Sequence, residues 1–82
     1  MTHGELREWL AAFVADVLEI EPEQVHTGAT WEALGVDSAA ILVLVADLSA
    51  ELGAPVKPVQ VLDHPTIEDL AAHLAGYEAA VV

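Results

Sequence analysis

Several ordinary features of proteins are missing from this chain of 82 residues. It has no cysteine, so disulfides and thiolate metal sites cannot support its fold, and it has no thiol chemistry of its own. Its longest purely apolar run, residues 39–46, is far shorter than the roughly 20 residues that span a bilayer. Glu5, Arg7 and Glu8 near the N-terminus argue against a secretory signal. We therefore expect a cytoplasmic protein that does not enter a membrane.

Positive charge is also scarce. Arg7 and Lys57 are the only arginine and lysine, against 14 acidic residues, and the formal net charge is -12. Such a chain repels phosphate backbones and anionic lipid headgroups, so we expect neither nucleic acid nor membrane as a partner. The acidic residues either keep an apolar domain soluble or favour encounter with basic patches on other proteins, and the sequence leaves both explanations open.

Apolar residues recur at helical spacing near the N-terminus. Thr2 and Glu5 have the spacing of a capping box, in which each side chain accepts a hydrogen bond from the other residue's backbone N–H. The apolar positions that follow are separated by steps of three and one: Leu6, Trp9, Leu10, Phe13, Val14, Val17 and Leu18. This pattern predicts a first amphipathic helix to about Glu19.

A second helix is predicted over about residues 38–52. Asp37 is a good N-cap residue because its carboxylate can accept from amides one turn ahead, and Gly53 fits the left-handed residue that ends a helix. Between the two helices, residues 20–35 are too irregular for a long helix. We expect a long loop there, packed on the core and anchored by a buried Trp31.

The rest of the chain predicts one short element and one longer helix. Residues 59–62 form either a short helix that begins at a favourable proline or a short extended piece. After a turn at residues 63–65, Thr66 and Asp69 make another capping pair before an apolar stripe made of Ile67, Leu70, Ala71 and Leu74. Gly76 is expected to end this helix and leave a frayed tail. The prediction is one all-α domain over residues 1–82, with three main helices, one short helix and a long loop between helices 1 and 2.

The second predicted helix has two apolar faces. At about 100° per residue, the core-facing side holds Ile41, Leu44, Val45, Leu48 and Leu52. The opposite side holds Ala39, Val43, Ala46 and Ala50, where an ordinary solvent face would be charged. Two explanations stay open: a partner-binding strip bordered by Asp47 and Glu51, or the tolerance of exposed helices for alanine and a single valine.

Ser38 is the candidate residue for chemistry. It occupies the first exposed position of the predicted helix, where backbone N–H groups point outward and the helix dipole favours an anion. Residues 31–38 read Trp, two residues, Leu, Gly, Val, Asp, Ser, the helix ends at Gly53, and residues 62–66 read Leu-Asp-His-Pro-Thr. In these motifs the chain closely resembles the acyl carrier protein and thiolation-domain family, from the first helix through Leu74.

The resemblance implies a covalent cofactor. In this family the serine that corresponds to Ser38 receives 4'-phosphopantetheine from coenzyme A, through a phosphodiester made by a separate phosphopantetheinyl transferase. The terminal thiol then holds acyl groups as thioesters. Asp37 is expected to cap the helix and to contribute to recognition by the transferase. The resemblance also implies that the protein is not an enzyme: it presents the acyl group, at raised effective concentration, to the active site of a docked partner.

The same resemblance implies the remaining partners: an acyltransferase or another acyl- or aminoacyl-loading enzyme, and pathway enzymes with basic patches. We expect a monomer. The residue after the serine is usually leucine or methionine in this family but is Ala39 here, and Val43 stands where glutamate is common. We hypothesise that dedicated partners dock on Ala39, Val43 and Ala46, with Asp47 and Glu51 at the rim.

Motif details favour one branch of the family. Gly-Val-Asp-Ser at residues 35–38 and the His-Pro-Thr turn resemble carriers of polyketide-type assembly lines more than those of fatty-acid synthesis. Peptidyl carriers of non-ribosomal peptide pathways are similar enough to stay an alternative. The chain length and Met1 suggest a free-standing carrier, although a domain cut from a larger synthase would have much the same sequence.

Other classes of protein fit less well. A serine-nucleophile enzyme would need a Gly-x-Ser-x-Gly elbow, which is absent because Ala40 stands at its last position, and a deep pocket for which a small bundle has little room. The four histidines are His3, His26, His64 and His73. No metal site is expected, because no two of them have helical i, i+4 spacing. A non-catalytic acidic helical interaction module is the remaining alternative, which phosphopantetheine attachment to Ser38 would exclude.

Overall fold

Five α-helices make up the fold, and the part of the chain that the structure describes contains no strand. The computed structural model describes residues 1–81, with side chains over residues 1–75. The helices are α1 (His3–Leu18), α2 (Trp31–Leu34), α3 (Ser38–Leu52), α4 (Pro58–Asp63) and α5 (Ile67–Val81), and a 3-10 turn at Pro22–Gln24 lies between α1 and α2. None of the described helices is long and apolar enough to cross a membrane. The predicted all-α fold class is confirmed.

The core is formed by apolar side chains. Its largest fully buried members are Leu6, Leu10, Val14, Leu44, Leu48, Val61, Ile67, Leu70 and Leu74. Over residues 1–75 no polar or charged side chain is buried. Helix α1 packs along α5, and α3 packs against α4. The predicted core stripes of α3 and α5 are confirmed, except that Leu52 is only partly buried at the edge of the core.

The helix ends follow local side-chain chemistry. The Thr2 hydroxyl accepts from the Glu5 N–H at 3.1 Å, and the Glu5 carboxylate accepts from the Thr2 N–H at 2.8 Å, as predicted for a capping box. Hydrogen bonds from the Thr2 backbone and hydroxyl hold the pKa of Glu5 below its ordinary value, because they stabilise the charged carboxylate. At α5, the Asp69 N–H donates to the Thr66 hydroxyl at 3.0 Å.

The connection between α1 and α3 holds more helical structure than predicted. Residues 20–35 were expected to form only a packed loop, but they contain the 3-10 turn and α2. The Thr30 hydroxyl caps α2 by accepting from the Ala33 N–H at 3.1 Å, and Gly35 ends it with a φ of +88°. Periodicity could not reveal α2, because four residues make barely one turn.

The two predictions for the C-terminal third of the chain have different outcomes. Helix α4 begins at Pro58, whose missing N–H costs nothing in the first turn, so the helical alternative for this segment is correct. The prediction that Gly76 ends the last helix is wrong, because helical backbone continues to Val81. A glycine inside a helix costs only about 1 kcal/mol relative to alanine, which does not force a stop. The frayed tail expected from about residue 76 falls outside the described side chains and stays a prediction.

Candidate functional site at the start of α3

The segment that leads to Ser38 is tied to the beginning of α5. The Trp31 N–H donates to the Pro65 carbonyl at 3.1 Å, and the Glu68 N–H donates to the Thr27 carbonyl at 3.1 Å. The Thr27 hydroxyl also donates to the Glu68 carboxylate at 2.6 Å. These bonds satisfy backbone groups of a long connection and fix its path before it enters α3.

Trp31 anchors this segment, as predicted. It is only 5% exposed, and its indole Nε1–H donates to the carbonyls of both Val61 and His64 at 3.1 Å. A buried indole needs a partner for its polar end, and here the partners belong to the C-terminal end of α4. Trp31 therefore joins α2 to α4.

Ser38 is exposed and is the first residue of α3. Asp37 precedes it in an extended conformation as the N-cap residue, and its carboxylate accepts from the Ala40 N–H at 2.9 Å. The serine hydroxyl thus lies at the positive end of a helix of 15 residues, an environment that favours an attached anion.

An open depression of about 460 Å³ adjoins Ser38. Its lining is mainly apolar, with two carboxylates: Trp31, Glu32, Gly35, Val36, Asp37, Ser38, Ile41 and Leu62. A second depression of about 260 Å³ shares Trp31, Glu32 and Leu62 with the first. The end of α3 that carries Ser38 is therefore flanked by apolar surface from α2 and α4.

The residues predicted to bind partners lie on the surface of α3. Ala39, Val43, Ala46, Asp47 and Glu51 are all exposed, and the exposed fraction of Val43 is 53%. At about 100° per residue, the three apolar positions form one strip and the two acids border one edge of it. We call this set of five residues the docking strip. The structure shows that it is accessible and leaves its role a prediction.

Three further exposed apolar residues, one on α3 and two on α4, were not predicted from the sequence. Leu42 is 58% exposed and borders the strip on the edge opposite the acids, while Val59 and Leu62 of α4 are 54% and 64% exposed. The helical wheel of α3 already places Leu42 off the core-facing side, so this signal was present. The short segment of α4 offered no such signal, because its helical state was undecided.

The histidines do not gather into a metal site. His3 lies 3.7 Å from the Glu68 carboxylate, His26 is exposed, and the rings of His64 and His73 stack with their centroids 4.1 Å apart. Over the described part of the chain, no group of three or more His, Cys, Asp or Glu side chains is placed to hold a metal ion. The stacked pair was not predicted, because His64 was interpreted only as a turn residue.

Comparison with known families identifies the chain. Residues 8–74 match the family model described as "Phosphopantetheine attachment site". The chain belongs to this family. Its members are carrier proteins, which hold acyl groups on covalently attached phosphopantetheine and do not catalyse reactions, so phosphopantetheine is the cofactor of this carrier protein. Carrier domains of this kind interact with enzymes of synthase pathways.

Individual relatives of the carrier protein include synthases and small carriers. A phenolphthiocerol/phthiocerol polyketide synthase of Mycobacterium tuberculosis is 38% identical over 75 residues, which are 92% of this chain and 4% of the synthase polypeptide. Acyl carrier protein TtuC of Teredinibacter turnerae is 32% identical over 76 residues, which cover 93% of this chain and 87% of TtuC.

A solved structure confirms the fold. The free-standing peptidyl carrier protein from a secondary metabolic pathway of Acinetobacter baumannii superposes with a TM-score of 0.87 at 25% identity, over 93% of this chain and 95% of that chain. The carrier protein thus matches a small part of a synthase and nearly all of two small carriers.

Proposed function

We propose that Ser38 carries the 4'-phosphopantetheine and that the protein presents acyl intermediates as thioesters to the enzymes of a polyketide-type pathway. The observation that carries this proposal is the exposed hydroxyl of Ser38 at the first position of α3, within the region that matches the family. An enzyme that attaches the arm needs a serine that it can reach.

Ser49, the only other serine, does not meet that requirement. Its side chain is only partly exposed, and its hydroxyl donates to the Val45 carbonyl at 2.6 Å and accepts from the Val56 N–H at 2.8 Å. These bonds hold the turn after α3 in place. The contrast between an accessible and an engaged hydroxyl supports Ser38 as the attachment residue.

The charges around Ser38 argue against a phosphate-binding role for Asp37. The phosphate of the arm is an anion, which the amide-rich start of α3 stabilises. A neighbouring carboxylate opposes it, but the Asp37 carboxylate already accepts from the Ala40 N–H. We therefore assign to Asp37 capping of α3 and recognition by the phosphopantetheinyl transferase.

Intact-mass spectrometry tests the attachment residue. After incubation with coenzyme A and a promiscuous phosphopantetheinyl transferase, the protein should gain the mass of one arm. Ser38→Ala should gain nothing, whereas the matched control Ser49→Ala should still be modified if it folds. Well-folded wild-type protein without a mass shift would favour the alternative of an acidic helical interaction module.

We propose that pathway enzymes dock on the docking strip and on Leu42 beside it. Exposed apolar residues with acids along one edge fit a partner surface that is apolar with a basic rim, and the net charge of -12 speeds encounter with such a surface. The acyltransferase or other loading enzyme and the synthase that uses the loaded carrier would share this surface.

Substitution within the docking strip tests this assignment. Val43→Asp places a charge in the apolar strip and should lower the rate of acyl transfer with the cognate partner. Ala12→Asp adds the same charge at an exposed position of α1 and should leave that rate unchanged. Equal transfer rates for both variants and the wild type would remove the docking strip as the recognition surface.

A peptidyl carrier is the second candidate function, because the Acinetobacter baumannii neighbour is one. The two functions differ in the group that is loaded. A thioester-transfer screen of the phosphopantetheine-loaded protein, with acyltransferases and with amino-acid-activating enzymes, should show loading by an acyl donor. Loading only by amino-acid-activating enzymes would establish the peptidyl carrier instead.

We further propose that the protein works as a monomer in the cytoplasm. Its net charge of -12 opposes self-association. Light scattering on the purified protein should give the mass of one chain, and a dimer mass at micromolar concentration would contradict this.

A further inference from the structure

A short chain of hydrogen bonds runs from the start of α4 to α5. The Lys57 N–H donates to the Gln60 side-chain oxygen at 2.8 Å. The Gln60 side-chain nitrogen lies 3.1 Å from Nε2 of His73. Because the oxygen of the Gln60 amide accepts from Lys57, its NH₂ group is the part that meets His73, and this group can only donate.

This arrangement specifies the protonation state of His73. An NH₂ donor needs an acceptor, so Nε2 of His73 must carry a lone pair and the ring proton must lie on Nδ1. A second ring proton would set two donors against each other and break the bond to Gln60. The contact is therefore made only by the neutral form of His73.

The ring of His73 also stacks on the ring of His64. Their centroids are 4.1 Å apart, their planes differ by 19°, and both residues are only partly exposed. Neutral rings can share this contact, but two positively charged rings at this separation repel each other. Two charged rings would therefore weaken the stack.

The stacked pair connects to the depression beside Ser38. The His64 carbonyl accepts from the indole N–H of Trp31, and Leu62, two residues earlier on α4, lines the depression together with Trp31. The end of α4 therefore contacts both the Trp31 indole and, through the ring of His64, the ring of His73 on α5.

We propose that His64 and His73 form a pH-sensitive positioning pair that holds the end of α4, and with it the wall of the depression beside Ser38, near neutral pH and releases it on acidification. Histidine changes charge between about pH 5 and pH 8, so the release falls in a range that cells and purification buffers reach. Neither residue touches Ser38, and the proposal does not depend on what Ser38 carries.

Charged residues lie on the elements that carry or adjoin the pair. They are Lys57 just before α4 and Asp63 at its end, Asp69 and Glu68 on α5, Glu32 on α2, and His3 and Arg7 on α1, which packs along α5. Glu68 is engaged with Thr27, Arg7 and His3.

Hydrogen exchange on the protein without its cofactor tests the proposal. Protection factors of α4 amides, corrected for intrinsic rates, should fall on the order of tenfold relative to those of α1 between about pH 7.5 and about pH 5.5. The indole N–H resonance of Trp31 should shift over the same range. Unchanged α4 protection and an unchanged indole resonance in the wild type would overturn the proposal.

Three glutamine variants test whether the histidine pair causes the pH response of α4. His73→Gln removes both the ring that meets Gln60 and the stack on His64, so it should abolish the pH response of α4. His64→Gln removes the stack but keeps the ring that meets Gln60, so it should only weaken the response. His26→Gln is the matched control, because His26 is exposed on the connection between α1 and α2, and it should respond like the wild type. A response that persists in His73→Gln would assign it to other groups and refute the pair. Because neither experiment uses Ser38, a failure here is distinct from a failure of phosphopantetheine attachment.

Discussion

Both sides of α3 carry large apolar residues, but in opposite environments. The inner side places Leu44 and Leu48 in the core with no exposed surface, whereas the outer side leaves Leu42 and Val43 more than half exposed. Hydropathy alone does not distinguish these residues. The difference teaches that on this helix an apolar side chain is not by itself a sign of burial, because only its angular position separates buried from exposed residues.

A second contrast lies along the helix axis. The start of α3 presents Ser38 and the carboxylate of Asp37 to solvent, while its end is closed by Gly53 with a φ of +67° and by the bonds of Ser49. The accessible end is the one with the positive dipole. The proposed attachment residue of the anionic arm and the bonds that anchor the helix thus lie at opposite ends of α3.

The largest expected effect tests the inner side of α3. Leu48→Ala should lower the free energy of unfolding by about 2–5 kcal/mol, because it leaves a cavity in a packed core. The matched outer substitution Val43→Ala should change it by no more than about 0.5 kcal/mol. Denaturant titrations measure both, and similar losses would show that the outer side also contributes to the fold.

The next effect concerns the start of α3. Asp37→Ala removes the acceptor of the Ala40 N–H and should cost about 1 kcal/mol of stability. Asp37→Asn keeps a capping oxygen and should cost little, but it removes the charge that we expect the transferase to recognise. Thermal melts and rates of arm transfer on both variants separate these roles, since wild-type transfer by Asp37→Asn would limit Asp37 to capping.

A smaller effect is expected from salt. The acidic surface repels itself, so added sodium chloride should raise the melting temperature by screening the exposed carboxylates. The gain should be smaller in a variant such as Glu51→Gln, which removes one charge of the docking strip. Calorimetry over a range of salt concentrations measures both trends, and a melting temperature that ignores salt would contradict this account of the surface.

The smallest effect is expected at the start of α1, in the capping pair of Thr2 and Glu5. At α1 the bonds from Thr2 lower the pKa of Glu5, so this pair stabilises the folded state above the ordinary pKa range of glutamate and the contribution is lost as pH falls through the lowered value. In Thr2→Ala the hydroxyl bond is gone, and the pKa of Glu5 should rise toward its ordinary value. Carboxyl NMR titration reports this directly, and an unchanged pKa would assign the shift to the backbone N–H alone.

Strong local signals made most of the fold predictable from the sequence. The Thr2–Glu5 pair, Asp37 and Gly53 marked helix ends with side chains or backbone freedom that act within one turn, and the structure has those ends. The stripe that begins at Ile67 was long enough to set a helical period. The prediction from Gly76 was wrong, because a residue that disfavours helix does not end one when good helix formers surround it.

What the sequence did not reveal depends on contacts between distant residues. Helix α2 is one turn long and is held in place by Trp31, whose bonding partners lie 30 and 33 residues away. The stack of His64 on His73 joins two helices across a turn, a relation that no periodicity encodes. At the candidate site, the position of Ser38 and Asp37 at the start of α3 was predictable from capping chemistry, whereas the apolar flank that Leu62 supplies required the path of α4.

The bonds that tie Trp31 to Pro65 and Thr27 to Glu68 give the base of any group on Ser38 a steady position. An arm whose attachment point moves samples a large volume with its free end. When the attachment point is fixed, that volume is limited by the length of the arm. The local concentration of the attached group at a partner's active site then depends on how closely the carrier protein docks there. Precision of delivery in such a small protein would thus originate in a few hydrogen bonds between residues 27–31 and 65–68.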